Sequence, residues 1–322
     1  MTITTLIPAF KVTYFAELVS CLNHQSVKPD KIIVSDDSSG NEFLKASREE
    51  WFRRMAGGLD IELLEGPKQG QYANMRFLVN SLPAETHYFH LLCDDDLIYP
   101  EFYRMHLQSL SRSDAQCSFS KRWVSTETGQ PSGVACFPGL IMSSSDRLLL
   151  LEPEFLFKST LPEFNNWIGE FSNIVFRKSA DSLLLDPKIN GICHYGLFDL
   201  GIVLRCAMAK GSMFVNEHLG VFRQSPSQHS SQIQSPTMKS SAVAWIALSI
   251  AAYQLKYLNE EELFRSGRLA MNVIRRNYAG DAKMERILSL EPEIAQQDSA
   301  SYIEKFLPLW PSFHEHIHPS LL

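Results

Sequence analysis

Apolar and polar positions in the first hundred residues form two alternating kinds of segment. Short segments rich in β-branched, Leu or aromatic residues, bounded by polar or turn residues, lie at residues 2–7, 31–35, 61–64 and 88–92. The segments between them carry apolar residues at helical spacing: residues 14–22, 41–55 and 72–81. Strands that alternate with helices predict βαβ units and a mostly parallel, buried sheet. The pattern therefore predicts an α/β, Rossmann-like fold whose central sheet is flanked by helices.

The middle of the chain is more mixed. Residues 171–176 and 213–222 have the composition of strands, and residues 197–209 have helical spacing. Residues 224–236 (QSPSQHSSQIQSP) are polar and contain two prolines. Such a composition is typical of a loop.

Helical spacing returns after this loop and continues to the last quarter of the chain: residues 241–258, 260–277 and 282–288. We therefore predict an α/β domain over residues 1–236, followed by a C-terminal helical extension over residues 237–322. Within the α/β domain, we expect one half to end near residue 112 and the other to cover residues 113–236.

The residues that follow each predicted strand are candidates for ligand binding, because ligands of open parallel sheets bind beyond the carboxyl ends of the strands. In chain order these segments are Pro8-Ala9-Phe10, Asp36-Asp37-Ser38-Ser39-Gly40, Gly66-Pro67-Lys68-Gln69-Gly70 and Asp94-Asp95-Asp96. Turn chemistry accounts for a single Asp-Ser-Gly loop. It accounts poorly for acidic groups after two strands that should end at the same edge of the sheet.

Asp94, Asp95 and Asp96 are three consecutive carboxylates at a strand end. Neighbouring carboxylates raise one another's pKa unless a cation or water relieves their repulsion. Mg²⁺ and Mn²⁺ prefer oxygen ligands, and one or two carboxylates together with substrate phosphates suit them. The alternative is that these acids cap the helix expected at residues 100–110 and stabilise its first turn.

Asp37 has two interpretations as well. A carboxylate can accept the N–H of a uracil-like base or a ribose hydroxyl, or it can belong to an ordinary turn. Gly70, followed by Asn74, is consistent with the start of a helix. Neither GxxxxGK[ST] nor GxGxxG occurs in the sequence, so the motif of a P-loop or of a dinucleotide-binding site is lacking.

Three segments resemble motifs of the family 2 glycosyltransferases with a GT-A fold. They are TLIPAF at residues 5–10, IIVSDDSS at residues 32–39 and LLCDDD at residues 91–96. They occur in the family's order at suitable spacing, and Gly70 with Asn74 and the Tyr99-Pro100 pair fit the same pattern. Each motif alone is a weak signal, whereas three in register are specific. The resemblance covers residues 1–223 and is strongest over the first hundred.

The resemblance implies roles for the residues at the strand ends. Asp37 would contact the nucleobase, and the loop from Pro8 through Ala9 to Phe10 would form part of the base and ribose pocket. Gly70 and Asn74 are expected in the same nucleotide-binding site. The Asp run would be the DxD-like element, with Asp94 on the ribose and Asp95, together with Asp96, on the metal. Such families often have Asp-x-Asp-Asp, and the first of those acids falls on Cys93 here, so the register of the metal ligand stays open.

Inverting members of the family carry a catalytic carboxylate just before a helix in the second half of the domain. Asp199, in the segment Gly196-Leu197-Phe198-Asp199, matches that position. A general base must come within hydrogen-bond reach of the acceptor hydroxyl that it deprotonates. We therefore predict Asp199 as the base, with a plain helix cap as the alternative and Glu170 as the reserve candidate.

The polar loop at residues 224–236 is flanked by further candidates. In similar proteins this stretch closes over the diphosphate, and Arg223 and His229 are placed to contact its oxygens. An arginine suits bidentate phosphate binding, and a mobile polar loop is what a lid requires. An inert surface loop is the alternative, and Lys68 is a weaker phosphate candidate.

Together these residues predict an inverting glycosyltransferase that uses a nucleotide-diphosphate donor, UDP- or dTDP-sugar favoured, and Mn²⁺ or Mg²⁺. The acceptor hydroxyl is expected on a glycan, a lipid-linked glycan or a protein, in glycan or glycoconjugate assembly. A non-catalytic nucleotide- or sugar-binding module is the alternative. A sugar nucleotidyltransferase is disfavoured, because Pro8-Ala9-Phe10-Lys11 lacks the Gly-rich basic loop that holds a triphosphate.

Composition narrows the partners and the location. A net charge of −6 argues against a nucleic-acid binder, which needs clustered Lys and Arg. The six cysteines have no CxxC spacing, and no apolar run is long enough to cross a bilayer. We therefore expect a cytoplasmic protein with reduced thiols; peripheral contact with the inner face of a membrane and a homodimer are both compatible with the sequence.

Overall fold

The computed structural model describes residues 1–226, 228 and 231–317 of the chain. Twelve strands, in chain order, are β1 (Ile3–Ala9), β2 (Lys31–Asp36), β3 (Ile61–Glu65), β4 (Tyr88–Leu91), β5 (Leu97–Ile98), β6 (Cys117–Ser125), β7 (Pro131–Val134), β8 (Leu148–Leu151), β9 (Ile174–Arg177), β10 (Lys188–Ile189), β11 (Ile192–Cys193) and β12 (Ser212–Arg223). Ten of them form one sheet with the path β3-β2-β1-β4-β9-β6-β12-β5, on which β7 pairs with β6 and β8 with β12.

Most of the sheet runs in one direction. β1 pairs in parallel with β2 and β4, and β2 pairs in parallel with β3. β9 is antiparallel to both of its neighbours, β4 and β6, so β6 points the same way as β4, and β12 is parallel to β6. The predicted mostly parallel α/β sheet is therefore confirmed, and the carboxyl ends of β1, β2 and β4 lie at one edge, as the strand-end argument required.

Helices flank the sheet and continue after it. In chain order the α-helices are α1 (Phe15–Asn23), α2 (Glu42–Ala46), α3 (Glu50–Ala56), α4 (Gln71–Asn80), α5 (Phe102–Ser111), α6 (Gly139–Ser143), α7 (Pro153–Thr160), α8 (Asp181–Leu185), α9 (Phe198–Lys210), α10 (Pro236–Gln254), α11 (Glu260–Tyr278), α12 (Ala282–Leu288), α13 (Glu291–Gln296) and α14 (Ser299–Phe306). The predicted helical extension is confirmed as α10 to α14.

Two predicted elements differ from the structure. The helix expected over residues 41–55 is broken into α2 and α3, because Phe43 and Phe52 both pack on Phe15, at ring distances of 4.9 and 5.3 Å, and one straight helix cannot place both rings there. The strand expected over residues 171–176 begins as a 3₁₀ turn, Phe171–Asn173, before β9. Asn173 lies in this turn and closes a capping box with Glu170.

The sheet separates two apolar clusters. Alternate residues of β1 point to opposite faces, so Leu6 belongs to one cluster while Ile3 and Ile7 belong to the other. The cluster that contains Leu6 continues into the helical extension, where α10 buries side chains almost all the way round. The α/β part and the extension therefore share one core. Among the described residues, none of the helices combines the length and the apolar character needed to cross a membrane.

Candidate functional site

The acidic run follows β4 and is tied to the loop that follows β1. One oxygen of Asp94, Oδ2, accepts hydrogen bonds from the backbone amides of Phe10 and Lys11, at 2.6 and 2.7 Å. Burial and the neighbouring Asp95 raise the pKa of Asp94 to about 7. Asp94 therefore fixes the shape of the loop of Pro8 to Phe10, and its contact with the ribose stays a prediction.

Asp96 is the most deeply buried acid of the run. It is 2% exposed, and its Oδ1 accepts a hydrogen bond from the backbone amide of Arg223, at 3.1 Å. Burial and the charge of Asp95 raise the pKa of Asp96 well above its usual value. Asp96 therefore joins the acidic loop to the end of β12.

Asp95 is the half-buried member of the run, and burial raises the pKa of its carboxyl. Its Oδ2 lies 3.5 Å from Nε2 of Gln228. In the described part of the chain, no three His, Cys, Asp or Glu side chains are grouped so as to hold a metal ion by themselves. Mg²⁺ can be held by one or two carboxylates together with substrate phosphates. The arrangement therefore fits Asp95, rather than the enclosed Asp96, as the carboxylate that a metal and a diphosphate would share.

Arg223 is enclosed by protein groups at the end of β12. Its guanidinium donates to the backbone oxygens of Asp95 and Glu127, at 2.9 and 2.6 Å, and pairs with Glu17 at 2.7 Å. It also lies 4.1 Å from the ring centre of Tyr14. The structure gives Arg223 a role in holding the acidic loop, and its phosphate contact stays a prediction. His229, the other candidate of this loop, lies outside the described residues.

The two aspartates after β2 have different surroundings. Asp36 is fully buried and accepts hydrogen bonds from the amides of Ser38 and Leu44, at 3.1 and 3.0 Å. Asp37 has one carboxylate oxygen on the amide of Lys68, at 2.5 Å. Asp36 thus supplies turn and cap hydrogen bonds, Asp37 holds the Lys68 amide, and the contact of Asp37 with a nucleobase stays a prediction.

Lys68 lies beside this pair and stabilises the loop. Its Nζ donates to the backbone oxygens of Asp36 and Ser38, both at 2.6 Å, and to Oδ1 of Asn41 at 2.7 Å. Three acceptors from the β2–α2 loop thus surround one ammonium group. Lys68 therefore supports the shape of the loop around Asp37 rather than extending toward a phosphate.

Gly70 and Asn74 bring α4 to the same edge. Gly70 is the N-cap of α4 with φ +90°, a backbone conformation that favours glycine, which confirms the predicted helix start. Asn74 is 2% exposed, and its Nδ2 donates to the backbone oxygen of Ser35 at 3.3 Å. Asn74 thereby attaches α4 to the carboxyl end of β2. Its contact with the nucleotide stays a prediction.

Asp199 lies in the first turn of α9 and is not the N-cap, which is Leu197. Its Oδ1 accepts a bond from the adjacent amide of Leu200 at 2.7 Å. Burial and the charge of Glu170 raise the pKa of Asp199 to about 7. A half-buried carboxyl with a pKa near neutrality has the property that a general base requires.

Glu170, the reserve candidate, is already paired. Both of its carboxylate oxygens contact the guanidinium of Arg122, one of them at 3.0 Å from Nη2. Glu170 also raises the pKa of Asp95 and of Asp199, so the ion pair lies between the acidic run and the candidate base. Asp199 is therefore the better placed of the two acids to take a proton.

Sequence reasoning missed Arg122 and Tyr72. Arg122 lies on β6 and is 6% exposed. Tyr72 is half-buried, and desolvation, followed by the Asp199 charge, raises its pKa. A pair of basic residues inside an otherwise apolar or small stretch, Lys121-Arg122, was the only signal for the first. For Tyr72 the sequence carried no signal, because its partner is more than one hundred residues away.

Gly66 offers a direct test of the Asp37 pocket. A Cβ at this position would lie 2.7 Å from Oδ1 of Asp37 and 3.0 Å from the backbone oxygen of Asp36. Gly66→Ala is therefore expected to displace Asp37, to lower stability by about 1–3 kcal/mol and to weaken nucleotide binding. The matched control is Gly40→Ala, whose Cβ would meet its first neighbour at 3.6 Å. Calorimetric titration with UDP and thermal unfolding check both; equal UDP affinity in the two variants would contradict the expectation.

Comparisons with known proteins bear on the fold. No protein-family model matches the sequence, and no curated protein matches it. Among solved structures, S. aureus TarS 1-349 in complex with UDP-GlcNAc is similar, with a TM-score of 0.52 and 12% identity over 100% of this chain and 83% of that one. TarS 1-349 in complex with UDP has a TM-score of 0.52 and 12% identity, over 99% and 93%. This likeness confirms the predicted fold of the GT-A type.

Proposed function

We propose that the chain is a glycosyltransferase that moves a sugar from a nucleotide-diphosphate donor to an acceptor hydroxyl. The observation that supports this most is the meeting, at one edge of the sheet, of the Asp37 loop and the acidic run of Asp94 to Asp96, both bound to the end of β1. Asp199 is related to this edge through Glu170, whose charge acts on both Asp95 and Asp199. Two structures of the same fold hold UDP-GlcNAc and UDP. A site with one carboxylate for the nucleobase and others for the diphosphate region suits a nucleotide-diphosphate donor of this class.

The reaction we propose is a single displacement with inversion at the anomeric carbon. The acceptor oxygen forms a bond to that carbon as the bond to the nucleoside diphosphate breaks, and the acceptor proton passes to Asp199. Asp37 orients the base, and Asp94 shapes the pocket through the amides of Phe10 and Lys11. Asp95 would hold Mn²⁺ or Mg²⁺, which when bound neutralises charge on the diphosphate.

The donor site is tested by thermal unfolding with UDP, dTDP, GDP, CDP and ADP, each with and without Mn²⁺. A ligand that binds the folded state raises its stability by about 2.7 kcal/mol at one hundred times the dissociation constant. We expect UDP or dTDP to raise the Tm, and to do so only with Mn²⁺. No rise with any nucleotide would remove the basis of the proposal.

Substitution at Asp37 connects this binding to the proposed pocket. Asp37→Ala is expected to abolish the preference for one nucleobase, because the acceptor of the base N–H is lost. The control is Asp60→Ala, an exposed aspartate just before β3, which should bind as the wild type does. Release of UDP from UDP-GlcNAc then separates an enzyme from a module that binds without turnover.

A further inference from the structure

A short 3₁₀ turn, Tyr195–Leu197, leads directly into α9 and therefore sets the position of Asp199. Tyr195, the first residue of the turn, and Phe198, the first residue of α9, are 3% and 7% exposed. His194, just before the turn, packs so closely on α9 that a Cβ at Gly201 would lie 2.2 Å from its Nδ1. Contacts to this turn determine where the Asp199 carboxyl lies.

Tyr72 contacts this turn from α4. Its hydroxyl donates a hydrogen bond to the backbone oxygen of Tyr195, and its ring lies 4.6 Å from that of Tyr195 and 5.3 Å from that of Phe198. The hydroxyl must be protonated to donate, and burial together with the Asp199 charge raises the pKa of Tyr72. The bond therefore persists at every pH at which the protein is expected to work.

The helical extension holds the opposite side of the same turn. A Cβ at Gly196 would lie 2.5 Å from the backbone oxygen of Ser240 and 2.7 Å from Cβ of Ala244, both on α10. Nε1 of Trp310 donates to the backbone oxygen of Cys193 at 2.9 Å. The turn therefore lies between the extension and Tyr72. Through Tyr72 it is connected to the half of the sheet that carries Asp37.

We propose that Tyr72 is a positioning residue that holds Asp199 in place from the nucleotide-binding half of the sheet. The inference rests on the proposed function, because it takes Asp199 as the base. Gly70, where the loop of Lys68 against Asp37 ends, is the N-cap of α4, and Tyr72 is the second residue of that helix. One rigid helix therefore joins the donor loop to the turn before Asp199, so that the two sites keep a fixed separation.

The test is Tyr72→Phe, which removes the hydroxyl and keeps the ring contacts. A buried carbonyl that loses its donor is destabilised, so the turn should loosen and Asp199 should gain water. We expect kcat for UDP release from UDP-GlcNAc with Mn²⁺ to fall about tenfold, with the dissociation constant of UDP unchanged. Because burial is the main cause of the raised pKa of Asp199, the acid limb of the pH–rate profile should move to lower pH.

A second readout does not need turnover. The free energy of unfolding is measured at about pH 5 and about pH 8 for each protein and for the same protein carrying Asp199→Asn. The difference between their two pH-dependent changes reports the ionisation of Asp199. Glu170 raises and Arg122 lowers the pKa of Asp199, both are present in the two backgrounds, and only Tyr72 differs between them. We expect this pH-dependent difference to be smaller in the Tyr72→Phe background.

Tyr103→Phe is the matched control. Tyr103 is fully buried, and its hydroxyl lies 2.6 Å from Oγ1 of Thr5 and 3.1 Å from Nδ1 of His90, in the other apolar cluster. It should lose stability without moving the pH–rate profile. A folded Tyr72→Phe with wild-type kcat, or with a lower kcat and an unmoved acid limb, overturns the positioning role while the proposed function stands. If the wild type neither binds UDP nor releases it from UDP-GlcNAc, the proposed function fails. In that case, a pH-dependent stability difference that is the same in the Tyr72→Phe and wild-type backgrounds overturns the positioning of Asp199 as well.

Discussion

Asp199→Asn is expected to lower kcat for sugar transfer by about 10²–10⁴-fold, the range that a general base contributes. Asparagine keeps the size of the side chain and the bond to the Leu200 amide, but it cannot accept the acceptor proton. Asp37 and Asp95, which would contact the donor, are unchanged, so the Tm shift produced by UDP and Mn²⁺ should persist. The measurement is steady-state kinetics of UDP release, paired with thermal unfolding in the presence of UDP.

The same substitution has a stability effect with a definite sign. Burial and Glu170 raise the folded-state pKa of Asp199 to about 7, above the unfolded value of about 3.9. Between these two values the unfolded chain releases its proton first, so stability falls as the pH rises through this window, and the cost is fully present above the folded pKa. Asp199→Asn removes that cost. We therefore expect the variant to match or exceed the wild-type Tm at about pH 8 and to be closest to it in acid.

Asp186→Asn is the control for both effects. Asp186 precedes the Tyr195–Leu197 turn and is largely exposed, and its carboxylate lies 3.5 Å from the guanidinium of Arg205. The backbone oxygen of Asp186, which also accepts from Arg205, is kept in the variant, so the substitution should change neither kcat nor the pH dependence of stability. In the wild type, kcat/KM should fall below about pH 7, because the base must be ionised to accept a proton. A folded Asp199→Asn that transfers sugar at the wild-type rate would show that another group takes the proton.

The first hundred residues were predictable because their strands and helices are local and strongly patterned. β1, β2 and β4 are short apolar runs between turn residues, and their buried faces are those that a parallel sheet requires. The order of their ends at one edge followed from the βαβ connection alone. The sequence alone therefore locates the edge of the sheet that carries Asp37 and Asp94.

β6 was not predicted, although it is a central strand. Its sequence, CSFSKRWVS, contains buried Ser118, Ser120 and Arg122, which hide the apolar pattern. Two of these side chains have partners that only the fold supplies: Ser118 meets His106 at 2.9 Å, and Arg122 pairs with Glu170. Long-range polar pairing of this kind leaves no periodic signal in the chain.

The candidate site was predictable in its location and less so in its division of labour. The acids within each strand-end loop looked equivalent in the sequence. In the structure all of them but Asp95 are buried and accept hydrogen bonds from backbone amides of other segments, and Asp95 is the half-buried one. Arg223 likewise looked available to a phosphate, and its three protein acceptors come from segments far apart in the chain.

Arg122→Met is expected to lower the free energy of unfolding by about 3 kcal/mol, because it leaves the Glu170 carboxylate without its partner in a partly buried place. The side chains of Arg122 and Glu170 are 7% and 26% exposed, and Arg122 also packs closely on the backbone at Gly169. Arg122 lowers the pKa of Asp199 and Glu170 raises it. The acid limb of the pH–rate profile should therefore move to higher pH in this variant, the opposite of the shift expected for Tyr72→Phe.

Two further variants separate charge pairing from the loss of packing. In Arg122→Met combined with Glu170→Met no unpaired charge remains, so most of the lost stability should return, and the shift of the acid limb should disappear with the Glu170 charge. Lys158→Met breaks the exposed pair with Glu154 and should cost less than about 1 kcal/mol. If the double variant loses as much free energy of unfolding as Arg122→Met and Glu170→Met lose together, the two side chains are not energetically coupled. The Arg122–Glu170 ion pair would then not determine the electrostatic environment of the acidic run and of Asp199.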